Sequence, residues 1–427
     1  MDISIIVILI LVAVIVIYIT ELIPIATTSI SACVLFVLVG AVPAERAFLG
    51  FGNGIIFMIS GMMVVGYALY ETGVSHFIGD KAIHLFGTNI KKLSVIFIII
   101  SIPFSAFLSV TATAAIMLPI VSSAVVASKG KISESDLFMA VGISAVLGGN
   151  LSLISSTPQL IAQGILHEGR FETFHFFEMS KIGIPLILAL IIYILTLGSA
   201  LHKKVIKCAT KKPFASEILV ANKDKCKLRT SKQLTVVIIL IFCVIGFIFS
   251  SGNVWISGVI AISAAVICII TGCITEKTAL SKLDWTTIIV IGCSFCFAYA
   301  LDYSGAGILV TQKLINIIGN DISPWLFCAV FVSIGFILGN FMSNTATASL
   351  IVPISIIMSQ ELGFDVKNVA IIVAVASNIS FSTPISTPAM TMTLSGGYKF
   401  KDYLIVAGLF NIIVFLIVVL MIPIILN

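Results

Sequence analysis

Charge is what this sequence has least of. Of its 427 residues, 10% are Asp, Glu, Lys or Arg and 59% are hydrophobic, whereas soluble domains carry roughly 25% charged residues. Such a chain does not fold around one core in water. Histidine is scarce too, with five residues, none in the HExxH spacing of a helical zinc site. The nine cysteines fall at 33, 208, 226, 243, 268, 273, 293, 296 and 328. Cys293 and Cys296 form a lone CxxC with no second pair or histidine cluster to complete a zinc site, so the cysteines read as small apolar packing residues. No Gly-rich phosphate loop, Ser-His-Asp set or paired carboxylates occur, and no enzymatic activity is expected.

What abounds is apolar runs of membrane length. A spanning helix needs about 20 such residues, and runs fall at roughly 3–19, 22–41, 54–72, 92–126, 137–167, 182–201, 233–250, 254–273, 286–303, 323–360, 368–398 and 402–425. They lack the alternation of a membrane barrel. Only Asp2 precedes the first run, with no basic segment before it and no cleavage pattern after it, so it reads as a retained helix rather than a signal peptide. The fold class is an all-α polytopic membrane protein.

Two runs, 92–126 and 323–360, are too long for one crossing and too short for two with a loop. Each carries the same element: SVTATA at 109–114 and SNTATA at 343–348, 234 residues apart. A re-entrant hairpin turning at Ser-x-Thr fits, since irregular backbone at membrane depth is tolerated where it lines a cavity or is buried in protein. Loop charge agrees. Residues 202–232 hold ten Lys and Arg, which places that loop in the cytoplasm. With both hairpins counted, loops 73–91, 127–136, 274–285 and 399–402 fall inside. Loops 42–53, 168–181, 304–322 and 361–367 fall outside, as do both termini. The setting is the cell membrane, with lipid as the surrounding partner. No nucleic-acid partner is expected.

Further matches at nearly constant offset, YALYETG at 67–73 with YALDYSG at 299–305 and SSTP at 155–158 with ISTP at 385–388, define two halves. Residues 1–201 form the first (hairpin 92–126, broken helix 137–167) and 233–427 the second (hairpin 323–360, broken helix 368–398). The basic linker 202–232 joins them. Five crossings plus one hairpin per half make the repeats inverted, a hallmark of secondary transporters with a site at the repeat interface. Ser and Thr before an apolar helical run are N-cap residues, and a helix start at mid-membrane directs partial positive charge at whatever precedes it. The TP pairs at 157–158 and 387–388 break a helix and free carbonyls. No Asp, Glu, Lys, Arg or His occurs in 93–128, 137–166, 322–360 or 368–398. An anion held by dipoles, with any driving cation held by oxygens, is the electrostatically cheapest reading. The bland alternative is that small residues simply let helices pack closely.

These motifs, together with ITELIPI at 19–25, resemble the divalent anion:sodium symporter family, the dicarboxylate and citrate carriers of the ion transporter superfamily. The similarity runs over essentially the whole chain, without an extra N-terminal helix common in that family. The resemblance implies an elevator-type homodimer. It implies that the carboxylates of a small organic anion meet Ser109, Val110 and Thr111 at the first tip, and Ser343, Asn344 and Thr345 at the second. Thr157, Pro158, Thr387 and Pro388 complete that pocket. It also implies two sodium sites: Ser105, Ser109 and Ser156 for one, Gly339, Met342, Asn344 and Ser386 for the other. The chain departs from the family at Val110, where Asn is usual, and at the breaks STPQ (156–159) and STPA (386–389). Sodium-independent anion exchange, or another superfamily branch such as arsenite or sodium/proton transport, therefore stays open.

Overall fold

Each long apolar run condenses into helix, because backbone groups in hydrocarbon must be satisfied within the segment. The computed structural model describes residues 2–20, 22–72, 89–128, 132–198, 201, 230–250, 253–318, 322–384 and 386–426. In the first half these form α1 (Ile3–Thr20), α2 (Ile25–Leu38), α3 (Gly54–Glu71), α4 (Ile90–Phe107), α5 (Val110–Ala127), α6 (Phe138–Gly148), α7 (Thr157–Glu168) and α8 (Ser180–Tyr193). The second half has α9 (Thr230–Phe249), α10 (Val254–Ile270), α11 (Trp285–Tyr303), α12 (Ala306–Ile318), α13 (Pro324–Phe341), α14 (Asn344–Glu361), α15 (Val366–Asn378), α16 (Pro388–Thr393) and α17 (Gly408–Leu426). No strand occurs among the described residues, and seven of the helices there are long and apolar enough to cross a membrane.

Both long runs are helix pairs, α4–α5 and α13–α14, broken for two residues at Leu108–Ser109 and Met342–Ser343. Their arms have 18 residues each, about 27 Å at 1.5 Å per residue, which is longer than half a bilayer. Exposed Lys91 and Lys92 in the first turn of α4 keep that end at the membrane surface. Both broken helices are broken: α6 stops at Gly148 and α7 starts at Thr157, while α15 stops at Asn378 and α16 starts at Pro388.

Some expected boundaries move. Residues 304–322, read as an external loop, contain α12, whose polar Thr311, Gln312, Lys313 and Asn316 mask a helix in a scan for apolar runs. The second broken helix resumes for only six residues. Residues 73–88, 129–131 and 202–229 lie outside the described residues, and with them most of the basic linker and the lysines at 81, 129 and 131. The seven described cysteines are buried and unbridged.

The halves interlock. α3 lies on α10 with almost no gap: a Cβ on Gly61 would stand 2.4 Å from the Ala261 carbonyl carbon, and one on Gly258 would stand 2.6 Å from Gly54 O. Small residues permit such crossings in membranes. α7 of the first half packs on α14 and α15 of the second. Outside the spans, Lys367 at the start of α15 bonds Glu172 at 2.7 Å and Glu178 at 3.0 Å on the 168–181 connection. Burial pulls the Lys367 pKa down, but the two carboxylates outweigh it and the net shift is upward. The same hydrogen bond from Lys367 lowers Glu172.

Candidate functional site

The two tips are built alike. Ser109 ends the turn before α5, and its Oγ accepts the Ala112 N–H at 3.2 Å. Ser343 caps α14, accepting the Ala346 N–H at 3.2 Å. These are the side-chain caps that the Ser-x-Thr spacing predicts. At the second break, Thr387 Oγ1 accepts the Met390 N–H at 3.3 Å, with Pro388 in the first turn, where a missing N–H costs nothing. Ser156 stands in the capping place before α7, yet its buried Oγ has no partner.

These features converge on one cavity of about 350 Å³, within the rough 300–1,000 Å³ span of small-ligand pockets. Its lining includes Ser109, Val110 and Thr111 from the first tip and Ser343, Asn344 and Thr345 from the second. Thr157 and Pro158 join from one break, Thr387 and Pro388 from the other. The starts of α5, α7 and α14 thus face a common space, each presenting unpaired N–H groups and the positive end of a helix dipole. α16 is too short to add much.

The residues assigned to cations divide. Ser109, Ser156, Asn344 and Ser386 line the cavity; Ser105, Gly339 and Met342 do not. The buried Ser105 hydroxyl donates to Ala145 O. Gly339 faces Ser380, whose Oγ a Cβ there would meet at 2.2 Å. Met342 is buried, with its N–H on Leu338 O at 2.9 Å. Ser386 O accepts the Asn344 N–H at 3.3 Å, tying the second tip to the second break. Among the lining residues, Asn344 and Ser156 carry buried oxygens, Oδ1 and Oγ, with no partner. Such neutral oxygens suit a dehydrated monovalent cation, and no cluster of His, Cys, Asp or Glu able to hold a metal occurs among the described residues.

The structure adds lining residues that motif reading missed. Asn378, at the end of α15, receives the Asn344 amide on its main-chain O at 3.2 Å and on Oδ1 at 3.1 Å. Sequence alone sets Asn344 against Val110; in space Asn344 is paired with Asn378. Met63, Gly66 and Tyr67 of α3 form another wall, and Lys282, Asp284 and Thr287 from the approach to α11 stand with them. The Lys282 ammonium lies 5.7 Å from the Tyr67 ring centroid. Asp284 caps α11, accepting the Thr287 hydroxyl at 2.6 Å. The repeated YAL element was the signal for Tyr67, whereas nothing in the motifs singled out Lys282. Asn53 caps α3, its Oδ1 accepting the Ile55 N–H at 3.0 Å, and its amide donates to Glu168 at 3.2 Å.

Hairpin tips and broken helices gathered around one cavity, in a chain of apolar helices, define a multi-pass membrane transporter. Comparison with known proteins fixes the family. The sequence matches the citrate transporter family over residues 15–368 and again over 259–427, and the chain belongs to that family. It is 28% identical over 397 residues to an uncharacterised transporter of Methanocaldococcus jannaschii, covering 92% of this chain and 87% of that one. It is 25% identical over 432 residues to the sodium-dependent dicarboxylate transporter SdcS of Staphylococcus aureus, covering 95% and 82%. Among solved structures, the YdaH transporter of Alcanivorax borkumensis, described as having an unusual topology, matches at a TM-score of 0.60 over 92% of this chain and 87% of that one. At 14% identity that likeness is one of fold. The resemblance to divalent anion:sodium symporters read from the motifs agrees with these relatives, which are transporters and not enzymes.

Proposed function

We infer that this protein is a secondary active transporter that carries an organic di- or tricarboxylate together with sodium. One observation carries the reading: both Ser-x-Thr tips and both Thr-Pro turns line the same cavity. Three helix starts offer N–H groups to carboxylate oxygens, each worth about 0.3–1 kcal/mol at an exposed site and up to about 2 kcal/mol when partly buried. The unpartnered Asn344 Oδ1 and Ser156 Oγ give a cation oxygens without adding a formal charge. The named function of the staphylococcal relatives supports both halves of this reading.

The halves 1–201 and 233–427 are taken as inverted repeats, with the linker 202–232 cytoplasmic and both termini outside. On that topology the exposed lining residues Lys282 and Asp284 lie on the cytoplasmic side, which we take as an inward-open conformation. Transport then moves the two hairpins and the two broken helices together against a scaffold built around α3 and α10, within a homodimer. A second reading has one specific support. Val110 stands where the symporter family that the motifs resemble usually has Asn, which favours sodium-independent exchange with the first cation site lost.

The test is a thermal-stability screen of the purified protein against mono-, di- and tricarboxylates, arsenite and phosphate, with and without sodium. A ligand at about 100 times its Kd adds roughly 2.7 kcal/mol to the folded state. Stabilisation by a di- or tricarboxylate that needs sodium supports symport. Equal stabilisation in potassium supports exchange, and indifference to every carboxylate refutes both.

A further inference from the structure

Asn150 and Asn378 hold matching places in the two halves, 228 residues apart, each opening an Asn-x-Ser: Asn150-Leu151-Ser152 and Asn378-Ile379-Ser380. Each follows the first segment of its broken helix, and the two side chains touch. Asn378 Nδ2 donates to Asn150 Oδ1 at 3.0 Å, and Gln159 Nε2 donates to the same oxygen at 3.0 Å. With Asn344 on Asn378, four buried amides make a continuous ladder from the first broken helix to the second hairpin tip. Its members are at most 6% exposed.

Only one orientation of the ladder avoids setting acceptor against acceptor, and it leaves Asn150 Nδ2, Gln159 Oε1 and Asn344 Oδ1 without partners. An amide facing a main-chain carbonyl must present its nitrogen, because two acceptors do not bond. Gln159 faces Gly149 O at 3.1 Å, Asn378 faces Val146 O at 3.4 Å, and Asn344 faces Asn378 O at 3.2 Å. Three of the four amides are therefore fixed by backbone. Asn150 sits between two donors and must offer its oxygen to both. Both Asn344 Nδ2 bonds are consequently spent on Asn378, and Asn344 Oδ1 is left buried and unpartnered on a residue that lines the cavity. A bare acceptor there repels a carboxylate oxygen, and leaving it unpaired costs about 1–3 kcal/mol. A cation removes that cost.

We propose that Asn378, braced by Asn150 and Gln159 of the other half, is a positioning residue that turns the Asn344 carbonyl toward the cavity and makes the second tip a cation ligand. This rests on the sodium-coupled reading and divides its labour: helix starts take the anion, and the oriented Asn344 oxygen takes the cation. It also relocates the contribution of the first half. Val110 has no amide to give, and its Cγ2 packs beside Gly149, where Asn378 Nδ2 also approaches. The first half reaches the cation site through Asn150 rather than through its own tip.

The experiment measures sodium and anion half-saturation separately, for uptake by full-length protein in proteoliposomes. It uses succinate, a four-carbon dicarboxylate, as the anion. The variants are Asn150→Ala, Asn378→Ala and their double. Outer partners that orient a metal ligand are worth roughly 10–100-fold in affinity. Each single variant is expected to raise half-saturating sodium about tenfold or more, with the anion value at saturating sodium within about twofold of wild type. The double should be no worse than the worse single, since both act through one chain of bonds. If Asn378→Ala does not fold, Gln159→Met keeps the shape, removes one donor, and must show the same split. Unchanged sodium half-saturation, or sodium and anion values rising together, overturns the proposal alone. Sodium-independent uptake by the wild type overturns the symport reading and this proposal with it.

Discussion

Replacing Gly149 with alanine tests whether the exact seat of the first hairpin tip matters. A Cβ at Gly149 would stand 2.8 Å from Val110 Cγ2, 3.1 Å from Val146 O and 3.5 Å from Asn378 Nδ2. Carbon atoms in contact rest about 3.5–4.0 Å apart, so Val110 must retreat by roughly 0.7–1.2 Å. Overpacking of this kind costs about 1–3 kcal/mol. It also carries the start of α5 away from the ligand, and a misplacement of about 1 Å can cost on the order of 100-fold in rate. Gly149→Ala should therefore take up substrate into proteoliposomes at a tenth of the wild-type rate or less, with a lower melting midpoint. Val110→Ala removes the methyl that is struck, so the double variant should regain most of the loss, a coupling that a double-mutant cycle isolates. Wild-type uptake by Gly149→Ala, or a double variant whose losses simply add, would refute the reasoning.

Other perturbations reach other parts of the molecule. Gly61→Ala drives its new methyl into the Ala261 backbone at 2.4–2.5 Å, which cannot rotate away; a loss of about 3 kcal/mol or more should appear as a missing monodisperse peak in size-exclusion chromatography. Lys282 stands over Tyr67 at 5.7 Å and Arg46 over Tyr299 at 5.9 Å, each cation preceding the third helix of one half and facing a tyrosine of the other. Lys282→Gln should raise anion half-saturation several-fold from one membrane face, and Arg46→Gln from the other, both effects shrinking toward 1 M salt. An equal effect from both faces would contradict this. Lys367→Met leaves Glu178, with its side chain 8% exposed, only the looser Lys181 ammonium at 3.7 Å and the His175 N–H at 2.9 Å, and should cost about 1–3 kcal/mol near neutrality. Because the Lys367 pKa is raised, its contribution is complete below the unfolded value near 10.4 and fades as pH climbs through the folded one. Because the Glu172 pKa is lowered, its contribution is complete above roughly 4.3 and fades as pH falls through the folded one. The melting-point gap between variant and wild type should be widest between these limits and close at both ends.

The parts of the site legible in the sequence are those that repeat nearly verbatim. SVTATA and SNTATA, and the paired Thr-Pro turns, place themselves because a Ser before an apolar run has one common local structure, an N-cap. The Asn150–Asn378 pair escaped for a reason of register: Asn150 lies eight residues before Pro158, whereas Asn378 lies ten before Pro388. The extra two residues shift the second copy out of line, and only the folded chain restores the match. α12 was hidden because its polar residues interrupt the apolar run. Lys282 was hidden because its importance lies in where the loop before α11 comes to rest, which no local pattern encodes. The length of the hairpin arms was hidden as well, since a two-residue break in a greasy run leaves no polar mark.

The most direct measurement of the central claim, that the space between the two tips is the transport site, is uptake by Asn344→Ala in proteoliposomes under an inward sodium gradient. Wild type and a lipid-facing control, Leu420→Ala, are compared at the same protein density. The account predicts uptake at the level of empty vesicles for Asn344→Ala, with a melting midpoint no longer raised by the carboxylate with sodium. Normal sodium-driven uptake by Asn344→Ala would contradict it.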